Sequence, residues 1–160
     1  MGYWLSHYLV QNGAKMIGVA EHDGSIFNEN GIDPSDLYDF KKHSHNKGIY
    51  GYPKVTKNYQ DESAIYHECD IMIPAAMERS INKKNADRLK CKILAEGANG
   101  PTTPIAEEIL NKKKILIIPD VLTNSGGVTC SYFEWLKNLK HVRPDRMMRK
   151  VTYHYYIKDF

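Results

Sequence analysis

The sequence predicts an α/β fold of the doubly wound type, built on a mostly parallel sheet. Three observations lead there. Short apolar runs alternate with helix-like segments along the 160 residues. The runs are continuous rather than alternating, which suits strands covered by helices on both faces. They end in small, polar or proline residues, at the strand ends where open α/β sheets bind ligands.

The elements follow in order. Residues 3–12, YWLSHYLVQN, read as a helix with Trp4, Leu5, Tyr8 and Leu9 on one face, stopped at Asn12-Gly13. Residues 16–20 form a short apolar strand ending at Glu21-His22-Asp23-Gly24, where Asp-Gly signals a turn. Asp33-Pro34 opens a second helix as cap and first helical residue. The polar stretch 44–61 reads as loop with room for one short strand. Strands follow at 69–73, 91–95 and 115–118, with helical segments at 78–90 and 104–111 between them. Thr103-Pro104 repeats the cap-then-proline start, and 128–139 is the last helix.

Composition is ordinary for a globular chain, with 42% hydrophobic and 26% charged residues. The net charge of +3 comes with scattered Lys and Arg, not the basic stripe of a nucleic-acid binder, so no nucleic-acid partner is expected. No apolar run approaches the roughly 18 residues of a membrane span, so no membrane partner is expected either. Cys69, Cys91 and Cys130 form no C-x-x-C pair, and His43, His45 and His67 suggest no metal site; a reducing compartment and no metal are expected. No targeting segment is visible.

Glu21 ends the first strand 19 positions after Gly2. In a Rossmann-type unit an acid about 20 positions past the glycine-rich turn binds the adenosine ribose. The spacing fits Gly2 as the last glycine of G-x-G-x-x-G, with the first strand of the unit missing. That strand belongs mid-sheet, so its loss leaves two unpaired strand edges. Four strand ends carry the residues a ligand would meet: Glu21-His22, Pro74-Ala75-Ala76, Glu96-Gly97-Ala98-Asn99-Gly100 and Pro119-Asp120. Small side chains there admit a ligand to the backbone, and Asn99 offers both a donor and an acceptor. Taken singly, each reads equally as an ordinary tight turn.

The stretches GAKMIGVAEHDGSI (13–26), DIMIPAA (70–76), LAEGANGPTTPIA (94–106) and IIPDVLTNSGGVTCSYFEWLKNL (117–139) closely resemble the cofactor domain of glutamate dehydrogenase. DGSI and D-P-x-x-L-x-D-F-K look more like the animal-type enzymes. The resemblance runs from Gly2 to about Val142. It implies a partial NAD(P)-binding Rossmann domain over 1–142 and a divergent tail over 143–160, truncated at both ends.

The resemblance implies oxidative deamination of L-glutamate to 2-oxoglutarate and ammonia with NAD, or NADP as the alternative. It implies that Gly2 lies at the pyrophosphate turn and that Glu21 holds the ribose, with His22 able to offset its charge. Ala75 and Ala76 would lie along the cofactor, Asn99 near the nicotinamide ribose and Asn124 near the carboxamide. Ser131 would hydrogen-bond the glutamate side-chain carboxylate and Val128 would line that pocket; Ser131 also reads as a helix serine bonding its own backbone. Tyr132, Phe133 and Trp135 are expected to pack, and residues 112–114 to form a solvated helix end. The family's catalytic Lys and Asp match nothing here, so no catalytic residue is assigned and the chain alone is expected to be inactive. The family also implies a homo-hexamer, and the mitochondrial matrix for an animal-type protein or the cytoplasm otherwise. Two other readings remain: a non-catalytic fragment that binds nucleotide or docks onto full-length subunits, and a dehydrogenase of branched-chain or aromatic amino acids.

Overall fold

A computed structural model describes residues 2–44 and 47–139. His45 and the tail at 143–160 lie outside them. The chain divides into two compact units, Met1–Thr123 and Asn124–Phe160.

The first unit opens with helix α1 (Gly2–Gln11), and Gly13 follows in the left-handed region at φ 89°. Its apolar residues are where the sequence puts them, yet none is buried, and Trp4 is 59% exposed. Strand β1 (Gly18–Glu21) turns through His22-Asp23 into β2 (Gly24–Phe27), a strand the sequence reading missed. Helix α2 (Pro34–His43) starts as expected, the Asp33 carboxylate accepting from the backbone N–H groups of Ser35 and Asp36. The room left for a strand in 44–61 is filled by β3 (Lys57–Tyr59). Strands β4 (Cys69–Met72), β5 (Cys91–Ala95) and β6 (Leu116–Ile118) match the three later apolar runs. Helix α3 (Pro104–Lys112) lies between the last two, capped by the Thr103 hydroxyl, and the short α4 (Asp120–Thr123) ends the unit. The second unit holds α5 (Ser125–Asn138).

The α/β class and the parallel sheet stand, but the strands form two sheets. Strands β4, β5 and β6 are parallel neighbours in that order, whereas β1, β2 and β3 form an antiparallel sheet. Among the described residues no strand joins β1 to β4, and each is the outermost strand of its sheet. Both carry apolar sequence suited to the middle of a covered sheet, yet Ile71 of β4 is 48% exposed.

A second correction concerns 78–90, which is not a helix. It contains one 3-10 turn at Ala86–Arg88 and a bridge between Ile81 and Thr102. The asparagines compete with the helix for backbone groups. Asn85 Oδ1 accepts from the Asn82 N–H at 2.8 Å, and Asn82 Oδ1 accepts from the Lys84 N–H at 3.0 Å. Arg79 sits at φ 54°, which no α-helix tolerates.

Each sheet has its own core. Ala106 and Leu110, one helical turn apart on α3, pack with Leu94 of β5 and Leu89, all fully buried. Ile26 of β2 packs with Leu37 of α2, Ile49 and Tyr52. Between the cores runs a 3-10 turn, Ser63–Tyr66. The fully buried Ser25 of β2 holds it, its hydroxyl donating to the Asp61 carbonyl at 2.6 Å and accepting from the Ala64 N–H at 3.0 Å. From the same turn Ile65 and Tyr66 pack against the α3 core.

Two charged contacts tie α2 to the segment before β3. The Asp36 carboxylate accepts from the Tyr52 hydroxyl and from Lys54 Nζ, the latter at 2.9 Å. The Tyr52 hydrogen bond, helped by Lys54, holds the Asp36 carboxyl below its ordinary range. Asp61, accepting from Ser63, is lowered likewise. A carboxyl more acidic in the folded chain than in the unfolded one supports folding above its unfolded pKa, about 3.9. That support is lost as pH falls through the folded value. Asp36→Asn is therefore expected to reduce, without abolishing, the drop in urea midpoint between pH 5 and pH 2, approximate limits set by the direction of the shifts.

Candidate functional site: a cleft at the ends of the parallel strands

The three parallel strands end side by side, and their loops are bonded together. The Ala98 N–H donates to the Pro74 carbonyl at 2.8 Å, joining the loops after β4 and β5. The Glu96 N–H donates to the Ile118 carbonyl at 3.0 Å, and the Asp120 N–H to Glu96 Oε2 at 3.1 Å. Asp120 Oδ2 in turn accepts from the Gly100 N–H at 2.8 Å. Glu96 is buried, and this set of bonds makes it a brace between the loops after β5 and β6.

An open cleft of about 350 Å³ lies over the first two of these loops, lined by Ala75, Ala76, Glu78, Gly97, Ala98 and Asn99. Ala75, Ala76 and Asn99 are thus brought together, as the strand-end rule implies. Glu78 is an addition: reading 78–90 as a helix hid it. The floor is tight because its residues are small. A Cβ on Gly97 would stand 3.3 Å from both Ala75 Cβ and Ile73 Cγ2 and 3.5 Å from the Pro74 carbonyl oxygen. Small side chains of this kind let the flat, extended body of a dinucleotide approach the main chain.

Within the first unit, Gly2, Glu21 and His22 do not line this cleft. Gly2 is the first residue of α1, its carbonyl accepting from the Ser6 hydroxyl at 2.6 Å. Glu21 and His22 sit at the β1–β2 hairpin, on the antiparallel sheet. Glu21 Oε1 accepts from Lys41 Nζ of α2 at 2.5 Å, and His22 Nδ1 lies 3.8 Å from Glu21 Oε2. Spacing along the chain carries no trace of Lys41, which arrives through the packing of α2. Asn124, Val128 and Ser131 belong to the second unit. Asn124 precedes α5 as its cap, and the Ser131 hydroxyl donates within the helix to the Gly127 carbonyl at 3.0 Å. Tyr132, Phe133 and Trp135, expected to pack, are exposed on α5, with the Tyr132 ring beside those of Phe133 and Trp135. Residues 112–114 are exposed, as expected of a solvated helix end, and Lys113 Nζ also donates to the carbonyls of Leu89, at 2.8 Å, and Asp87.

The cysteines differ in access. Cys69 and Cys91 are register partners on β4 and β5. Burial, with Cys91 beside it, pushes the Cys69 thiol up to about 11, and burial raises Cys91 as well. Cys130 is exposed. An aromatic disulfide reagent at pH 8 is expected to consume about one thiol per native chain quickly and all three in guanidinium, read from the thiolate released. Fast reaction of Cys69 or Cys91 in the native chain would contradict this. Among the described residues no three His, Cys, Asp or Glu side chains gather as for a metal, and no helix is long and apolar enough to cross a membrane.

Comparison with known proteins bears on this cleft. The mitochondrial glutamate dehydrogenase of Dictyostelium discoideum is 44% identical over 150 residues, covering 94% of this chain and 30% of that protein. A crystal structure of glutamate dehydrogenase from Peptoniphilus asaccharolyticus matches with a TM-score of 0.65 and 33% identity, over 88% of this chain and 31% of that one. The hetero-hexameric glutamate dehydrogenase of Thermus thermophilus, in its Leu-bound form, matches in fold with a TM-score of 0.74 at 22% identity, over 93% and 35%. The chain thus spans about 30% of the length of the curated relatives it matches. The family model for glutamate/leucine/phenylalanine/valine dehydrogenases matches residues 1–153, and the chain belongs to that family.

Proposed function

We propose that this chain is the cofactor-binding part of a glutamate dehydrogenase, holding a dinucleotide over the cleft at Ala75, Ala76 and Gly97. The observation that carries the reading is that cleft, floored by small residues at the carboxyl ends of parallel strands. A bound nicotinamide dinucleotide would supply the acceptor for a hydride from the carbon bearing the substrate's amine. The chain's part is positional: Ala75, Ala76 and Gly97 admit the dinucleotide, while Asn99 orients it with its donor and acceptor. Residues 1–142 form the partial Rossmann domain in this reading, and 143–160 a divergent tail. Gly2 serves the pyrophosphate, Glu21 and His22 the ribose and Asn124 the carboxamide. Val128 and Ser131 receive L-glutamate, the Ser131 hydroxyl turning from Gly127 to donate to the substrate carboxylate. The homo-hexamer and the mitochondrial matrix belong to the same reading; among the relatives, one is hetero-hexameric and one is mitochondrial.

The 160-residue chain alone is not expected to turn over, because nothing in it supplies the family's catalytic Lys and Asp. Titration of the isotopically labelled chain with NADH is expected to move the amide signals of 75–78 and 97–99 first. Unchanged signals there at millimolar NADH would remove the dinucleotide reading, and glutamate-dependent NADH formation at enzyme-like rates would remove the claim of inactivity.

NAD is the preferred cofactor in this reading, with NADP tolerated. The Glu21 carboxylate repels the 2′-phosphate of NADP, and the Lys41 ammonium on its Oε1 weakens that repulsion. Lys41→Ala is expected to widen the ratio of NAD to NADP affinity roughly two- to fivefold, the scale of one half-exposed ion pair. Equilibrium titration of the variant with both cofactors reads the ratio.

A further inference from the structure

Asparagine followed by glycine occurs three times, at Asn12-Gly13, Asn30-Gly31 and Asn99-Gly100. The pair carries its own chemistry. Glycine has no side chain to shield its backbone nitrogen, so that nitrogen can reach the carbonyl carbon of the asparagine side chain. All three asparagines are exposed, so access to water does not separate them. What separates them is the partner of the glycine N–H. Those of Gly13 and Gly31 donate to nearby main-chain carbonyls, of Val10 and Asn28, each at 3.0 Å. That of Gly100 donates at 2.8 Å to Asp120 Oδ2, 20 residues along the chain. The carboxylate is itself fixed. Its Oδ1 accepts from the Val121 N–H at 2.7 Å, and the Asp120 N–H donates to the buried Glu96 at 3.1 Å. The Gly100 carbonyl accepts from the Arg79 N–H at 2.9 Å, so this glycine is held on both sides.

We propose that Asn99-Gly100 is a latent self-modification site and that the Asp120 carboxylate is the group that holds it off. In the reaction the Gly100 nitrogen gives up its proton and bonds to Asn99 Cγ. The Cγ–Nδ2 bond breaks, and ammonia leaves with that proton, closing a five-membered imide. Water then opens the ring at one carbonyl or the other, giving aspartate or isoaspartate, with no oxidation or reduction. The hydrogen bond to Asp120 opposes the first step in two ways. It fixes the orientation of the nitrogen, and its negative charge disfavours the amide anion that must form. The product exchanges an amide that donates and accepts for a carboxylate that only accepts, in the cleft that Glu78 also lines. The site is independent of the nucleotide reading, so it is tested with no nucleotide present.

The experiment holds the 160-residue chain at mildly alkaline pH and samples it over days. Peptide mapping by mass spectrometry reads the acid formed at each of the three asparagines. Conversion at Asn99 is expected to be at least about tenfold faster in urea than in the native chain. Asp120→Ala removes the acceptor. It is expected to speed conversion at Asn99 at least about tenfold, the weight of one hydrogen bond to a charged group, and to leave Asn12 and Asn30 unchanged. Asp120→Asn keeps an acceptor oxygen and is expected to stay much closer to the parent than to Asp120→Ala. Three results would each overturn the proposal: conversion of native Asn99 at its rate in urea, an Asp120→Ala rate equal to the parent's, or an Asp120→Asn rate equal to that of Asp120→Ala. Should Asp120→Ala fail to fold, all three sites would speed up together. The unmodified chain with and without urea, and Asp120→Asn, would then decide.

Discussion

Gly97→Val is expected to weaken dinucleotide binding while leaving the chain folded. The position allows little: a Cβ there already stands 3.3 Å from Ala75 Cβ and Ile73 Cγ2. Valine's two further methyl groups must either enter the cleft or push the loop after β4 away from the loop after β5. The first blocks the ligand. The second strains the 2.8 Å bond from the Ala98 N–H to the Pro74 carbonyl, which holds those loops together. Overpacking of this kind costs about 1–3 kcal/mol, or roughly a 5- to 150-fold loss of affinity if it falls on the bound state. Gly97→Ala adds only the first carbon and should lose much less. The pair is read by NADH titration alongside urea unfolding, which separates blocked binding from lost structure. Equal affinities for the valine variant and the parent would move the dinucleotide away from this cleft.

Gly24→Ala is expected to be the most destabilising single-methyl change in the antiparallel sheet. Gly24 sits at φ 139°, a conformation that L side chains rarely adopt, and an added Cβ would overlap the Tyr59 carbonyl oxygen. That oxygen belongs to β3, whose Tyr59 is the register partner of Ser25 in β2. The clash therefore meets paired backbone that cannot retreat without opening the β2–β3 ladder. Strain and overlap together should cost roughly 3 kcal/mol. Gly13→Ala is the comparison: Gly13 lies at φ 89° with nothing within 4 Å of its Cβ position, so only the backbone term applies, about 1 kcal/mol. Urea midpoints of the two variants check the difference. A Gly24→Ala chain as stable as the Gly13→Ala chain would mean that the hairpin takes another register.

The starts of α2 and α3 were legible because their signals are local. Asp33 and Thr103 cap through their own side chains, and each is followed by a proline whose fixed φ suits the first turn. The apolar run at 91–95 was legible because both its neighbours are present in the parallel sheet. The segment 78–90 misled because Asn82 and Asn85 bond the backbone through their side chains, an outcome that apolar spacing does not report. The hairpin of β1 and β2 shows in the sequence only as a turn, since four-residue strands leave little periodicity to detect. At the site, the strand-end rule points to Ala75, Ala76 and Asn99, which line one cleft. Glu78 was lost with the mistaken helix. The bracing role of Glu96 depends on partners after β6, about 24 positions away, and Lys41 reaches Glu21 only through tertiary packing.

Ser25 bears on how the two sheets keep their spacing. Its hydroxyl grips the segment at 61–64 by an acceptor before the 3-10 turn and a donor inside it. That turn leads directly into β4, so one side-chain oxygen acts as a spacer gauge between a hairpin and a sheet that share no ladder. Without it, a buried N–H and a carbonyl would be left unsatisfied, each at a cost of about 1–3 kcal/mol. The distance between the sheets would then rest on packing alone, which is tolerant of small slides where a two-sided hydrogen bond is not. The spacing of the hairpin from the turn that leads into β4 is in this sense calibrated by a single residue on β2.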